Sequence, residues 1–422
     1  MSSMRRIALV GLTLVFLFAM TSICNLTPGG PGTTDFVQYW SAWQLMRQGA
    51  NPYDANLLAQ IQYSLTGIPD FLIFSWNPPW TFLALSPVLS LPFEQSAEVW
   101  LGLQVVLLLT ISVTAPRGLG TYVPRPLVCV LATTLFFPIL QSMKMGQLGI
   151  LFAASISLFL YFQSLGAFLL AGLSLLPLTF KPHLFFLFIV PGALWIKQLS
   201  PQGRARFLAG SLGGFGVLVL LCGALWPSGL LHWLQALASK ESMTAGTQAI
   251  HISDWQTATI VTWIRLAFQH TTGELAAWPM LTIPLVSFIM CSLYLYRRCH
   301  SVRWEVITPA LLCLSLGTSN YGWVFDQSVL VLCQIALVCA LYTLRDRVRI
   351  LACVFLLAGI QAIAIIGSNI WALPQQFYAW VPWAYLALLL LFSNPSKGVD
   401  HFTDGLDVAS RREKSDIALT PQ

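Results

Sequence analysis

Apolar runs, each roughly long enough to cross about 30 Å of hydrocarbon as a helix, follow one another along most of this chain with short basic clusters between them. Lipid offers no partner for a free N–H or C=O, so a chain built this way has little choice but to bundle helices. Of its 422 residues 56% are hydrophobic and 9% charged, where soluble domains carry about a quarter charged. That excludes a soluble protein. The net charge of +6 is spread over the clusters between runs, which is a topology signal and argues against nucleic acid.

Arg5 and Arg6 precede an apolar run at 7–26 with no small-x-small cleavage site behind it, so this run is expected to stay as a first span with a cytoplasmic N-terminus. Further spans are expected at 97–115, 126–141, 148–163, 167–180, 183–196, 207–225, 277–296, 305–318, 327–344, 350–367 and 378–392. The fold class is therefore all-α and polytopic, with about twelve transmembrane helices. The segment 77–93 has a short apolar core cut by Pro78, Pro79, Pro87 and Pro92, and 257–268 is short and carries Arg265. Both are expected as re-entrant or surface helices, within a first outer loop at 27–96 and a second at 226–276. Of the 22 Lys and Arg residues only Arg47, Lys144, Lys181, Lys240 and Arg265 then fall outside the cytoplasmic side, which includes the loop 197–206. The transmembrane domain ends near 393, and the polar segment 394–422 is expected to be a disordered cytoplasmic tail. Nine cysteines lie mostly inside apolar runs without metal-ligand spacing, as small hydrophobes do.

The motif TDFVQYWSAWQLMRQGANPYD, residues 34–54, puts Asp35 just beyond the first run. Phe36, Tyr39, Trp40 and Trp43 recur at helical spacing, and Gly49, Asn51 and Pro52 end the helix. Two readings stand side by side: a carboxylate backed by an aromatic wall that handles a sugar, or an interfacial helix anchored by its aromatics.

The cations outside the cytoplasmic set need partners. Lys181 and His183 in TFKPH, and Lys144 with Gln147 in MKMGQLG, are placed to meet an anionic lipid headgroup such as a polyprenyl phosphate, or to snorkel to ordinary phospholipid. Asp326 in SNYGWVFDQ, behind Tyr321 and Trp323, is either a helix N-terminal acid or a ligand for a sugar hydroxyl. His251 and Asp254 form a further candidate pair. No nucleotide fingerprint, catalytic triad spacing or metal cluster is present in the sequence.

The stretches DFVQYWSAWQLMRQGANPYD, FSWNPPWTFLALSPVLSLPF, GQLGILF, AGLSLLPLTFKPHLF and SNYGWVFDQSVLVL resemble glycosyltransferase family 87, within the GT-C superfamily of polyprenyl-phosphosugar-dependent membrane enzymes. The resemblance covers most of the chain from Asp35 to Leu332, with Trp76 standing where a tyrosine is expected. It implies a GT-C-type bundle with juxtamembrane helices on the outer face. It also implies mannose transfer from a polyprenyl-phosphate donor to a lipid-linked or glycan acceptor at the outer face of the bacterial cytoplasmic membrane. In that reading Asp35 is the general base, and Lys181, His183, Arg47 and Lys144 bind the donor phosphate. Tyr39, Trp40, Asn51, Tyr53, Trp76, Asn77, Gln147, Tyr321, Asp326, His251 and Asp254 contact sugar or acceptor. No metal or other cofactor is expected, since no D-x-D pair occurs, and a lipid phosphate, already a good leaving group, needs no acid partner. The rivals are a multi-span transporter or flippase of a glycolipid, and a catalytically dead sugar-lipid-binding protein.

Overall fold

The computed structural model describes residues 33–68, 72–120, 126–238, 257–273, 276–298, 302–344 and 346–392, all of them helix or connecting turn with no strand among the described residues. The expected first span and the tail lie outside the described residues.

Helix α1 (Thr33–Arg47) is followed by α2 (Ala55–Thr66), α3 (Pro79–Leu89) and α4 (Phe93–Gly118). Next come α5 (Pro126–Thr134), α6 (Phe137–Met145), α7 (Gly149–Ser164) and α8 (Phe168–Ser174). A run of 3₁₀ turns from Leu176 to Phe188 leads into α9 (Ile189–Gln198). Then follow α10 (Pro201–Leu225, with one π turn at Ala209–Gly213), α11 (Gly229–Ala238), α12 (Ile260–Thr272), α13 (Pro279–Arg298) and α14 (Trp304–Thr318). A 3₁₀ turn, Val324–Leu330, opens α15 (Val331–Thr343), and α16 (Arg347–Asn369) and α17 (Val381–Phe392) complete the set.

Among the described residues, five helical segments are long and apolar enough to cross a membrane: α4, α10, α13, the α15 span Val324–Tyr342, and α16. The number is six if α5 and α6, bent by 59°, count as one broken span. The protein is thus a helical membrane protein. The α15 span is mostly buried among the other helices, whereas α10 and α13 are largely exposed and turn residues such as Leu220 and Leu281 outward.

Several expected spans are not single helices. The run at 126–141 breaks because Pro138 has no N–H and its ring collides with the carbonyl four residues back, Thr134, where α5 stops. The runs at 167–180 and 183–196 dissolve into 3₁₀ turns around Pro177 and Pro182. Helices α7 and α14, with 16 and 15 residues, reach only about 24 Å and 22 Å at about 1.5 Å per residue. The expected polar loops are also more structured. The first contains α2, capped by Asp54 at one end and by Gly67 at φ +66° at the other. The second contains α11, and the short helix expected at 257–268 is α12. The expected cytoplasmic loop 197–206 shrinks to two residues, because Ser200 caps α10 and accepts from the Gly203 N–H. Arg204, on α10, donates back to Ile196 and Lys197 at the end of α9 and to Leu199 just beyond it.

Bare glycine surfaces let α8 and the π turn of α10 touch backbone to backbone. A Cβ on Gly210 would sit 2.2 Å from the Leu169 carbonyl, and one on Gly172 would sit 2.4 Å from the Phe207 carbonyl. This is the small-residue packing that membrane helices use in place of a hydrophobic drive. Gly210→Ala and Gly172→Ala are each expected to destabilise by roughly 1–3 kcal/mol. Gly216→Ala, with nothing within 4 Å of its Cβ, should be neutral or mildly stabilising. Thermal unfolding of the three variants in one detergent checks this; equal losses in all three would remove close contact as the cause.

Candidate functional site: a carboxyl, amide and phenol beside a buried ion pair

Asp35 lies in the first turn of α1, half-buried, and one turn further on Tyr39 points to the same neighbour. That neighbour is Gln147, whose Nε2 donates to Asp35 Oδ2 at 2.8 Å while its Oε1 accepts from the Tyr39 hydroxyl at 2.7 Å. The amide is aimed by its turn. Gly146 takes a left-handed conformation (φ +66°) that ends α6, the Gln147 N–H returns to Ser142 O, and the Trp100 indole N–H holds Gly146 O at 2.9 Å. Two residues on, Gly149 opens α7 against the Phe325 carbonyl, which a Cβ there would approach to 2.2 Å. That contact brings the Val324–Leu330 turn, and Asp326 with it, to the same end of the bundle.

Asp326 is 1% exposed and uses both oxygens: Oδ2 accepts from the Trp323 N–H at 3.0 Å, and Oδ1 takes the Lys181 ammonium at 2.8 Å. Lys181 also lies 5.2 Å above the Phe325 ring. It stands in the gap between two 3₁₀ turns, where Asn77 Nδ2 holds the Phe180 carbonyl at 3.2 Å and Ser315 holds that of Leu184 at 2.7 Å. The ring of His183 meets Tyr321 edge-on at 6.1 Å, and its Nε2 is buried with no hydrogen-bond partner among the described residues.

Burial is the main reason the Asp35 carboxyl is pushed up to about 6; the Gln147 hydrogen bond and the Lys181 charge oppose the rise and Asp326 adds to it. His183 is pushed down to about 4, first by burial and then by Lys181, with Asp326 opposing. The Tyr39 phenol is driven well above its ordinary value by burial and by the acids Asp35 and Asp326. These mutual effects mark Asp35, Tyr39, Lys181, His183, Tyr321 and Asp326 as one electrostatic cluster, drawn from positions nearly 300 residues apart. Its chemistry is that of a proton acceptor working near pH 6, one ammonium, and a neutral imidazole with a free nitrogen.

Other expected site residues do structural work. Among the described residues the aromatic face of α1 is a docking seam against α3, α4 and the turn between them. Phe36 stacks on Trp100, Trp40 donates to Leu91 O at 2.9 Å with its edge against Phe93, and Trp43 donates to Ser90. Asn51 caps its own turn by accepting from the Tyr53 N–H, the Tyr53 hydroxyl donates to the Asn77 carbonyl, and the Trp76 carbonyl takes the Trp233 indole N–H. Arg47 is exposed twelve residues down α1 from Asp35, about 18 Å along the axis. Lys144 is exposed in the last turn of α6. His251 and Asp254 lie outside the described residues.

Sequence reasoning treated Lys181 and Asp326 separately and missed their pairing, although two opposite charges among apolar runs are the signal for it. It also missed Gln334, Gln361 and Tyr385, the polar residues of otherwise apolar runs that hold the α5–α6 break together.

Fold and cluster together define a helical membrane protein with a solvent-touched acid site at one end of the bundle. No family model, curated protein or solved structure matches this chain.

The raised Asp35 value fixes a sign for stability. A group whose folded value exceeds its unfolded one stabilises below the unfolded value, and that contribution is lost as pH climbs through about 6. Asp35→Asn is therefore expected to be more stable than wild type above pH 6 by about 3 kcal/mol at most, with the gap closing toward pH 4. Thermal unfolding across pH in detergent measures it, and a pH-independent gap would show that the carboxyl is not perturbed.

Proposed function

We propose that this chain is a glycosyltransferase that moves a sugar, in the family reading mannose, from a polyprenyl-phosphate donor to an acceptor hydroxyl. The observation that carries the proposal is one proton-seeking carboxylate, Asp35, held by Gln147 and within electrostatic reach of the Lys181 cation, itself ion-paired to Asp326. The order of the motifs in the sequence, which resembles glycosyltransferase family 87, supports it.

In this reaction the acceptor oxygen forms a bond to the anomeric carbon as the bond from that carbon to the phosphate oxygen breaks. Both electrons of the broken bond leave with the lipid phosphate, and the hydroxyl proton passes to Asp35. A carboxylate near 6 is ionised at neutral pH yet basic enough to take that proton. Gln147 and Tyr39 hold it in place, and Lys181, with the His183 Nε2, meets the phosphate as charge collects there. A single acid suffices because the leaving group needs no protonation, unlike the paired carboxylates of glycoside hydrolysis.

A second reading, a glycolipid transporter or flippase, draws support from the broken helices beside the cluster, at the 59° bend and along the 3₁₀ run. The two separate cleanly. In nanodiscs there are no compartments to transport between, so only a transferase can turn over a labelled synthetic polyprenyl-phosphate sugar and an acceptor glycolipid.

Wild type is expected to transfer label, and Asp35→Asn to lose roughly 10²–10⁴-fold in kcat while keeping donor binding. The wild-type kcat/KM should fall about tenfold per pH unit below the acid's value near 6. A well-folded asparagine variant at wild-type rate would remove Asp35 as the base.

The same reading sets the cluster on the outer side of the cytoplasmic membrane. Cysteines at the exposed positions Asn56 and Gln202 are expected to react with an impermeant thiol reagent from outside and inside respectively in intact cells. The reverse pattern would put the site on the cytoplasmic face.

A further inference from the structure

The Lys181–Asp326 pair poses a problem for a cation meant to bind phosphate: it is already occupied. The two groups are 2.8 Å apart, and their side chains are 12% and 1% exposed. Asp326 is also fixed from behind, since its second oxygen caps the Trp323 N–H at 3.0 Å. Lysine has a four-carbon flexible stem and can swing. Asp326 is anchored by its cap.

Resting on the transferase reading above, we propose that Asp326 is a built-in competitor for Lys181 whose task is to release the polyprenyl phosphate product. The donor's phosphodiester carries one negative charge. Once the anomeric bond breaks, the leaving group is a monoester with a second ionisation at about 6, and it approaches two negative charges at neutral pH. A free ammonium would hold that product more tightly than the donor and stall the cycle. Swinging Lys181 toward a phosphate leaves Asp326 a buried carboxylate with only the Trp323 N–H, a costly state that draws the lysine back. The surrounding groups act in the same direction, since His183 is held neutral and Asp35 adds negative charge when ionised.

The test uses the purified full chain in nanodiscs and two sugar-free probes, polyprenyl monophosphate and its methyl diester, with direct measurement of binding. Wild type is expected to hold the monoester no more than a few-fold tighter than the diester, a comparison that needs no variant. Asp326→Asn, which keeps an acceptor for the Trp323 N–H, is expected to bind the monoester roughly tenfold more tightly. Its kcat and its donor KM should both fall, and adding Lys181→Gln should abolish the gain. A merely structural Asp326 would lower thermal stability without moving the ratio of the two affinities. Unchanged or weaker monoester binding in folded Asp326→Asn, or a wild type that already prefers the monoester about tenfold or more, overturns the proposal while leaving the transferase reading intact. A wild type that binds neither probe and transfers no sugar overturns both.

Discussion

Lipid gives no hydrogen bond to a backbone group that leaves a helix, and each such group left bare costs several kcal/mol. The irregular segments of this protein are organised by that constraint. At the α5–α6 break, Gln334 donates to the Ala132 carbonyl, while Gln361 accepts from the Phe137 N–H at 2.7 Å. The two amides are joined to each other and to the Tyr385 hydroxyl, so a helix bent by 59° keeps its polar ends satisfied inside the bundle. In the 3₁₀ run, Asn77 and Ser315 do the same for Phe180 and Leu184.

The candidate site is built from these irregularities. The bend directs α6 so that its terminal turn presents Gln147 to Asp35. The unwound run stops Lys181 at the depth of Asp326. Backbone carbonyls and amides freed by the proline breaks are held by neutral side chains, which leaves the charged groups to one another. The result is a cluster in which burial pushes Asp35 up and His183 down while Lys181 is tied to Asp326.

The same economy explains why so many aromatics near the site do not face it. Trp40, Trp43 and Gln44 all donate to residues 89–91, at the end of α3 and in the turn that follows, and so fix α1, which carries Asp35. Tyr53 and Asn77 form a relay from the α1–α2 turn to the Phe180 carbonyl, next to Lys181. Such residues hold the candidate site in position.

The apolar runs, the scarcity of charge and the prolines determined by themselves that this is a helical membrane protein with short helices expected at 77–93 and 257–268, which the structure places at 79–89 and 260–272. The sequence also singled out Asp35, Gln147, Lys181, His183 and Asp326 as polar groups out of place, because any charge near hydrocarbon demands a reason. What it left open was which of them meet. Whether a run of apolar residues becomes one span or two bent halves depends on whether distant glutamines and serines arrive to satisfy the break, a long-range matter that local pattern does not encode. The facing of α1 was decided in the same way. Its indoles suit a membrane surface or a helix seam equally, and only the arrival of residues 89–91 and Trp100 chose the seam.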